Sequence, residues 1–276
     1  MNPPPGPVIE LRRAAVKLGS RTLWSDLTLS VESGEFLAVL GPNGVGKTTL
    51  LKVLLGLIPL SSGEVLVNGV VPRRGTHELG YIPQQRAFDQ NLPLRARDLV
   101  RFGADGHRWG IPLHSRAYRQ RLDEVMEAVG ATAYAEVPVG LLSGGEQQRL
   151  RIAQALFGDP RVLLCDEPLL ALDLASQRAV TELIDRRRRE SGTPVVFVTH
   201  EVNPVLPYVD RILYLVRGRS AIGTPAEILT SERLSALYGI PVDVIKVRDR
   251  FIVLSAEHHL STEPGSHAHH DQEHTH

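Results

Sequence analysis

A single cysteine, Cys165, stands in 276 residues. It excludes a disulfide within the chain and any paired-cysteine zinc spacing. Long apolar runs are also missing. The longest, residues 53–60, is eight residues and is already interrupted by Gly56 and Pro59. A bilayer span needs about twenty apolar residues, so the chain is not expected to cross a membrane itself. Charge of one sign is absent too, since 31 Lys and Arg balance 31 Asp and Glu. No overall field would draw the chain to anionic lipid or to nucleic acid, and nucleic acid is not an expected partner. The opening MNPPPGPVIELRR lacks the apolar stretch of a secretory leader, and no repeat at a solenoid period is apparent. What remains is the expectation of a soluble, intracellular globular protein. At roughly 150 residues per domain it should have one or two domains, and it is long enough to bury a full core.

What the sequence does contain is an alternation of buried strands and helices. A Ser-Gly break at Ser33-Gly34 precedes residues 36–40, which read as a fully buried strand. Leu50, Leu51, Leu54 and Leu55 follow at helical spacing, and Gly56 with Pro59 ends that helix. Residues 92–135 look mainly helical; Leu122, Val125, Met126 and Val129 form a stripe that stops at Gly130. Residues 162–165 and 195–198 are two more buried runs with a helical segment between them. Strands alternating with helices point to a mostly parallel α/β core. Further on, residues 212–216 read as a strand and Thr224-Pro225 as a helix start. A short helix then runs from Ser231 to Gly239, and residues 242–247 and 251–254 pair as a hairpin. After Glu257 the composition collapses to His, Ser, Gly and Asp, too little apolar surface to fold.

The chemistry begins at Gly41-Pro42-Asn43-Gly44-Val45-Gly46-Lys47-Thr48, which matches G-x-x-x-x-G-K-[ST]. Its glycines let successive backbone N–H groups converge on phosphates at a helix N-terminus, where the dipole favours negative charge. Lys47 should reach the β- and γ-phosphates and the Thr48 hydroxyl should ligate Mg²⁺, with Thr49 next to it in the same turn. A buried strand later ends in Cys165-Asp166-Glu167. Asp166 is placed to hold Mg²⁺ through its water shell, and Glu167 to polarise an attacking water. Cys165 reads as a small core residue, and the run Arg186-Arg187-Arg188-Arg189 as a solvated helix face. Leu142-Ser143-Gly144-Gly145-Glu146 then supplies a glycine turn at a second helix N-terminus, a second anion site with nothing in its own unit to bind. The simplest use is a head-to-tail dimer, each ATP sandwiched between one copy's phosphate loop and the other's Ser143 turn.

With these motifs the sequence resembles the ATP-binding subunits of ABC transporters, from about Val8 to Leu254. Gln84 in Tyr81-Ile82-Pro83-Gln84 looks like that family's Q-loop glutamine, Asp173 in Ala171-Leu172-Asp173 like its D-loop aspartate, and His200 like its switch histidine. The resemblance implies a P-loop (RecA-like) α/β ATPase core with an antiparallel β subdomain and an α-helical signature subdomain. The cassette would span residues 1–240, its helical part about 90–158. A small hairpin extension (241–257) and a disordered His-rich tail (258–276) would follow. It also implies that Gln84 touches Mg²⁺ or the lytic water and relays nucleotide state, and that His200 holds the γ-phosphate. Two positions depart from the family. Leu18 stands where an aromatic ring usually stacks on adenine, with Trp24 as a substitute that could fold back, and Leu170 replaces a D-loop serine.

Such an engine needs partners. The resemblance implies membrane permease subunits docking near residues 84–93, with Phe88 and Leu92 as apolar contacts. The stretch 200–210, with Ile222-Gly223-Thr224-Pro225 and Leu237-Tyr238-Gly239, resembles the ATPases of bacterial manganese and zinc importers. That implies a peripheral subunit on the cytoplasmic face of the cell membrane, in a system with an extracytoplasmic metal-binding protein. Other uses are the detached ATPase of an exporter, or a non-transport ABC ATPase; the latter needs coiled-coil inserts or a second cassette, and neither is seen. The tail packs His258, His259, His267, His269, His270, His274 and His276, seven of eleven histidines, into nineteen residues. Imidazoles with a pKa near 6.5 are mostly neutral at cytoplasmic pH and can ligate transition metals loosely, zinc before manganese.

Overall fold

In a computed structural model of the chain, residues 6–76, 78–84, 88–105 and 115–255 are described. The path opens with β1 (Ile9–Leu18), β2 (Arg21–Val31), β3 (Phe36–Leu40), α1 (Lys47–Leu54), β4 (Ser62–Val67) and β5 (Leu79–Ile82). Three helices follow: α2 (Ala96–Asp105), α3 (Arg116–Ala128) and α4 (Gly144–Phe157). Then come β6 (Val162–Asp166), α5 (Leu174–Ser191), β7 (Val195–Val198), β8 (Arg211–Val216), β9 (Arg219–Gly223) and α6 (Pro225–Ile228). Last are α7 (Ser231–Tyr238), β10 (Val242–Val247) and β11 (Arg250–Ser255).

The continuous apolar runs become the centre of a six-stranded sheet, ordered β5-β6-β7-β3-β8-β9. Every residue of β3, β6 and β7 is buried, as strands covered on both faces require. All neighbours run parallel except β9, which turns back on β8. Parallel strands deliver their C-terminal loops to one edge. Register puts Val39 of β3 and Asp166 of β6 on either side of Val198 of β7, so the loops after all three emerge together. That is where open α/β sheets place ligands.

A second, antiparallel sheet, β2-β1-β4, packs with the first around one apolar cluster. Leu50, Leu51 and Leu54 of α1 belong to that cluster, alongside Trp24, Leu27, Leu37 and Val196. Leu50 and Leu51 are wholly buried, and each such side chain contributes about 1.5–3 kcal/mol. The burial fixes α1, and with it the loop that precedes α1. In the helical segment, α3 is capped by Ser115, whose side chain accepts from the Tyr118 N–H, and it buries Leu122 and Met126. Both α2 and α3 pack on α4. Cys165 is buried, and desolvation raises its thiol pKa far above the ordinary range.

The arginine run is not simply a solvated face. Arg188 is 12% exposed in its side chain and pairs with Asp185 (2.8 Å) and Asp210 (2.7 Å), and donates to the Gly34 carbonyl. Arg187 pairs with Asp159. The spacing hid this because Asp159 and Asp210 come from distant loops.

The chain divides into two compact units between Ile228 and Leu229, ahead of the residue-240 boundary expected from the sequence. Within the second unit, α7 is capped by Thr230 and ended by Gly239 at φ 72°. It is tied to the β10–β11 hairpin by Ser235 to Val242 and Ser231 to Val244 hydrogen bonds, so helix and hairpin go together. The His-rich tail lies outside the described residues.

Candidate active site

The loop between β3 and α1 is a place for glycine by necessity. A Cβ on Gly41 (φ +136°) would stand 2.1 Å from the Leu215 carbonyl oxygen, and one on Gly46 (φ +103°) 3.0 Å from the Trp24 ring. Gly46 is the N-cap of α1 and has no side chain to satisfy the first-turn N–H groups, which leaves them for an anion. Lys47 is 6% exposed and its Nζ donates to the carbonyls of Gly41 (2.7 Å) and Pro42 (3.0 Å). Burial lowers its pKa, opposed by the nearby charges of Glu167 and Asp166.

The Thr48 hydroxyl donates to Asp166 Oδ1 at 3.0 Å. Asp166 ends β6 almost fully buried, and its other oxygen accepts from the Tyr81 hydroxyl at 3.4 Å. Desolvation pushes the Asp166 carboxyl upward, the Thr48 hydrogen bond pulls it back, and the charge of Glu167 adds to the rise. A buried carboxylate is costly without a counter-charge. Joined to a hydroxyl, it is an oxygen donor pair of the kind Mg²⁺ prefers, so the residues fit that cation.

Glu167 adopts φ +48°, a conformation that costs a non-glycine residue about 1–3 kcal/mol and clusters at functional sites. Its backbone N–H donates to the Val198 carbonyl, which clamps the turn to β7. Its Oε2 lies 3.2 Å from Nδ1 of His200. Gln84 follows β5 and is exposed. Asn43, Gly44, Gly46, Lys47, Thr48, Thr49, Gln84, Glu167 and His200 line one cavity of about 770 Å³, with Leu18, Arg21, Leu23 and Leu170. Val45 is instead buried in the core, and Pro42 contributes its carbonyl to Lys47.

Ser143, Gly144, Gly145 and Asp173 do not line this cavity. Ser143 caps α4 in a closed box: its hydroxyl and N–H both donate to Glu146 Oε2 (2.7 and 2.8 Å), and the Glu146 N–H donates back at 3.3 Å. Those bonds hold the Glu146 carboxyl below the usual range. Asp173 caps α5 by accepting from the N–H and hydroxyl of Ser176, which lowers its pKa in the same way. A Cβ on Gly145 would meet the Ala171 carbonyl at 3.4 Å, so the Ser143 turn and the Asp173 loop adjoin each other.

Two expectations change. Trp24 cannot fold back to a nucleotide, because it is fully buried beneath Gly46. Phe88 is not a free apolar contact: its ring lies 4.3 Å beneath the Arg151 guanidinium and its N–H donates to Gln147. Residues 85–87 and 256–276, including every tail histidine, lie outside the described residues; among the described residues no group of three or more His, Cys, Asp or Glu could hold a metal. Sequence reasoning missed Tyr81 as a partner of Asp166, and Arg21, whose Nη2 donates to the Gly44 carbonyl at 3.0 Å. The first joins two strands and the second a strand to the phosphate loop, and no spacing rule announces either.

Residues 24–170 match the family described as ABC transporter. The chain belongs to that family. It is the ATPase cassette of the family, carrying the phosphate loop and its acidic partners, and no described helix is long and apolar enough to cross a membrane. It is 35% identical over 240 residues to the uncharacterized ABC transporter ATP-binding protein YvrA of Bacillus subtilis, covering 82% of this chain but only 52% of that protein. It is 37% identical over 239 residues to the zinc import ATP-binding protein ZnuC 1 of Hahella chejuensis, covering 87% of this chain and 86% of the relative. Among solved structures, the fold superposes with TM-score 0.75 and 27% identity on a chain of an inward-facing transporter described as of the metal-chelate type. That match covers 91% of this chain and 99% of the other chain.

Proposed function

We propose that the cassette hydrolyses ATP for an ABC permease that imports a transition metal, zinc or manganese, across the cell membrane from its cytoplasmic face. The observation that carries the ATPase reading is the meeting of the phosphate loop, Thr48 and the Glu167–His200 pair in one cavity, with Asp166 bonded to Thr48 just behind its wall. The cargo rests on the likeness to a zinc import ATP-binding protein. The triphosphate lies at the N-terminus of α1, where the Gly44 and Gly46 backbone and Lys47 offset its charge. Thr48 and Asp166, with Gln84 at the border, would hold Mg²⁺, which would supply positive charge to offset that of the phosphates. Glu167 orients the attacking water and takes its proton, and His200, sharing Nδ1 with Glu167, presents its other nitrogen to the terminal phosphate. Catalysis is mostly positioning plus electrostatics.

Ser143, Gly144, Gly145 and Asp173 act on the nucleotide of a second copy, since their own chain keeps them away from its cavity. The working form is therefore a homodimer, with permease subunits docking near residues 84–93 and an extracytoplasmic metal-binding protein feeding the system. The test is the metal content of cells of the source organism carrying Glu167→Gln, grown under metal limitation. A selective fall in zinc or manganese is expected and names the cargo. A rise means export, and an unchanged profile overturns the metal assignment.

A further inference from the structure

The cavity has two chemically different ends. One carries the N-terminus of α1, Lys47, Thr48 and Glu167, which suit a triphosphate; the other comes from the β1–β2 hairpin and must face the nucleoside. This step rests on reading the cavity as an ATP site. The hairpin turns at Gly19-Ser20 and pairs Leu18 directly with Arg21, and directly opposed residues send their side chains to the same face. Both line the cavity, and Leu18 is 48% exposed. Among the described residues no aromatic ring lines it. The guanidinium of Arg21 meets no carboxylate among the described residues; its described bond is the one from Nη2 to the Gly44 carbonyl at 3.0 Å. That bond holds a planar cation beside the phosphate loop.

We propose that Arg21, backed by Leu18, is the platform on which the nucleobase lies, the guanidinium plane stacking on the ring in place of an aromatic side chain. Guanidinium is planar, weakly hydrated and stacks on π-faces. Tethering one of its nitrogens to a rigid loop reduces the freedom lost when a base arrives. A platform of this kind reads the face of a base and not its edges, so adenine and guanine nucleotides should bind about equally.

The test is calorimetric binding of ATP, GTP and inorganic tripolyphosphate to the full chain and to Arg21→Ala, Arg21→Lys, Leu18→Tyr and Lys47→Ala. Arg21→Ala should weaken ATP and GTP alike by roughly three- to tenfold and leave tripolyphosphate unchanged. Arg21→Lys should recover little, because an ammonium lacks the plane, and Leu18→Tyr should tighten both nucleotides by a similar factor. Loss of tripolyphosphate affinity in Arg21→Ala, with recovery in Arg21→Lys, would make Arg21 a phosphate contact and overturn the platform. Unchanged ATP binding in Arg21→Ala would overturn it equally, while a Lys47→Ala defect kept the ATP site intact. If Lys47→Ala binds all three ligands like the unmodified chain, the ATP-site reading itself falls, and the platform with it.

Discussion

The N-termini of α1 and α4 are both glycine turns that begin a helix, yet the chain treats their backbone donors in opposite ways. At α1 the N-cap is Gly46, without a side chain, and the neighbouring Lys47 spends its hydrogen bonds on loop carbonyls. At α4 the Ser143–Glu146 box satisfies the Glu146 N–H internally and sets a carboxylate on the Ser143 hydroxyl. The first end is left to an anion from outside; the second already carries a negative charge of its own. A single copy thus leaves the α1 end open and holds a carboxylate at the α4 end. For Ser143 to serve a partner's nucleotide, Glu146 must release its hydroxyl.

The sharpest way to break this contrast is at the α1 end, where chemistry should reside in full. Glu167→Gln keeps the side chain's shape and removes the proton acceptor beside His200. Steady-state phosphate release should fall by about 10²–10⁴, while nucleotide titration shows binding retained. Hydrolysis within a few-fold of the unmodified chain would remove Glu167 from the mechanism.

Much of this asymmetry was legible in the residues. The strands at 36–40, 162–165 and 195–198 announce themselves because strands buried on both faces must be apolar throughout. The loop glycines and Ser143 announce themselves because phosphate binding and helix capping each demand a particular residue type at a particular step. Strand β9, Arg219–Gly223, did not: it is short, starts with two exposed polar residues, and borrows its pairing from β8. The pairing of Arg188 with Asp210, the floor that Trp24 gives to Gly46, and the reach of Arg21 to Gly44 were equally hidden. Each joins residues far apart in the chain, and only the tertiary fold brings them within bonding distance.

A smaller effect is expected at α4. Ser143→Ala deletes the cap and leaves the Glu146 N–H without its partner, costing about 1 kcal/mol. In a domain of this size that lowers the melting temperature by about 2–4 °C. The loss should appear in nucleotide-free protein, which separates the capping role of Ser143 from any contact with a partner's phosphate. A melting temperature unchanged without nucleotide would mean that the box contributes nothing, and the contrast between the two helix ends would lose its energetic basis.

The finest test titrates Glu146 itself. Hydrogen bonds from the Ser143 hydroxyl and N–H depress its folded pKa, so its contribution to stability is present above the unfolded value of roughly 4.3 and is lost as pH falls through the lower folded value. A carboxylate in the first turn of a helix is worth about 0.3–1 kcal/mol. Glu146→Gln should therefore melt slightly below the unmodified chain at neutral pH, and the gap should close as acid protonates Glu146. In the same variant the Ser143 hydroxyl loses its charged acceptor and is freed toward a second copy's nucleotide. ATP-dependent dimer formation, read by light scattering in the hydrolysis-deficient Glu167→Gln background, should then occur at lower protein concentration with Glu146→Gln than without it. If the added substitution makes dimerisation harder, the carboxylate helps hold the partner's nucleotide, and the α4 end is not self-blocked but built with its charge in place.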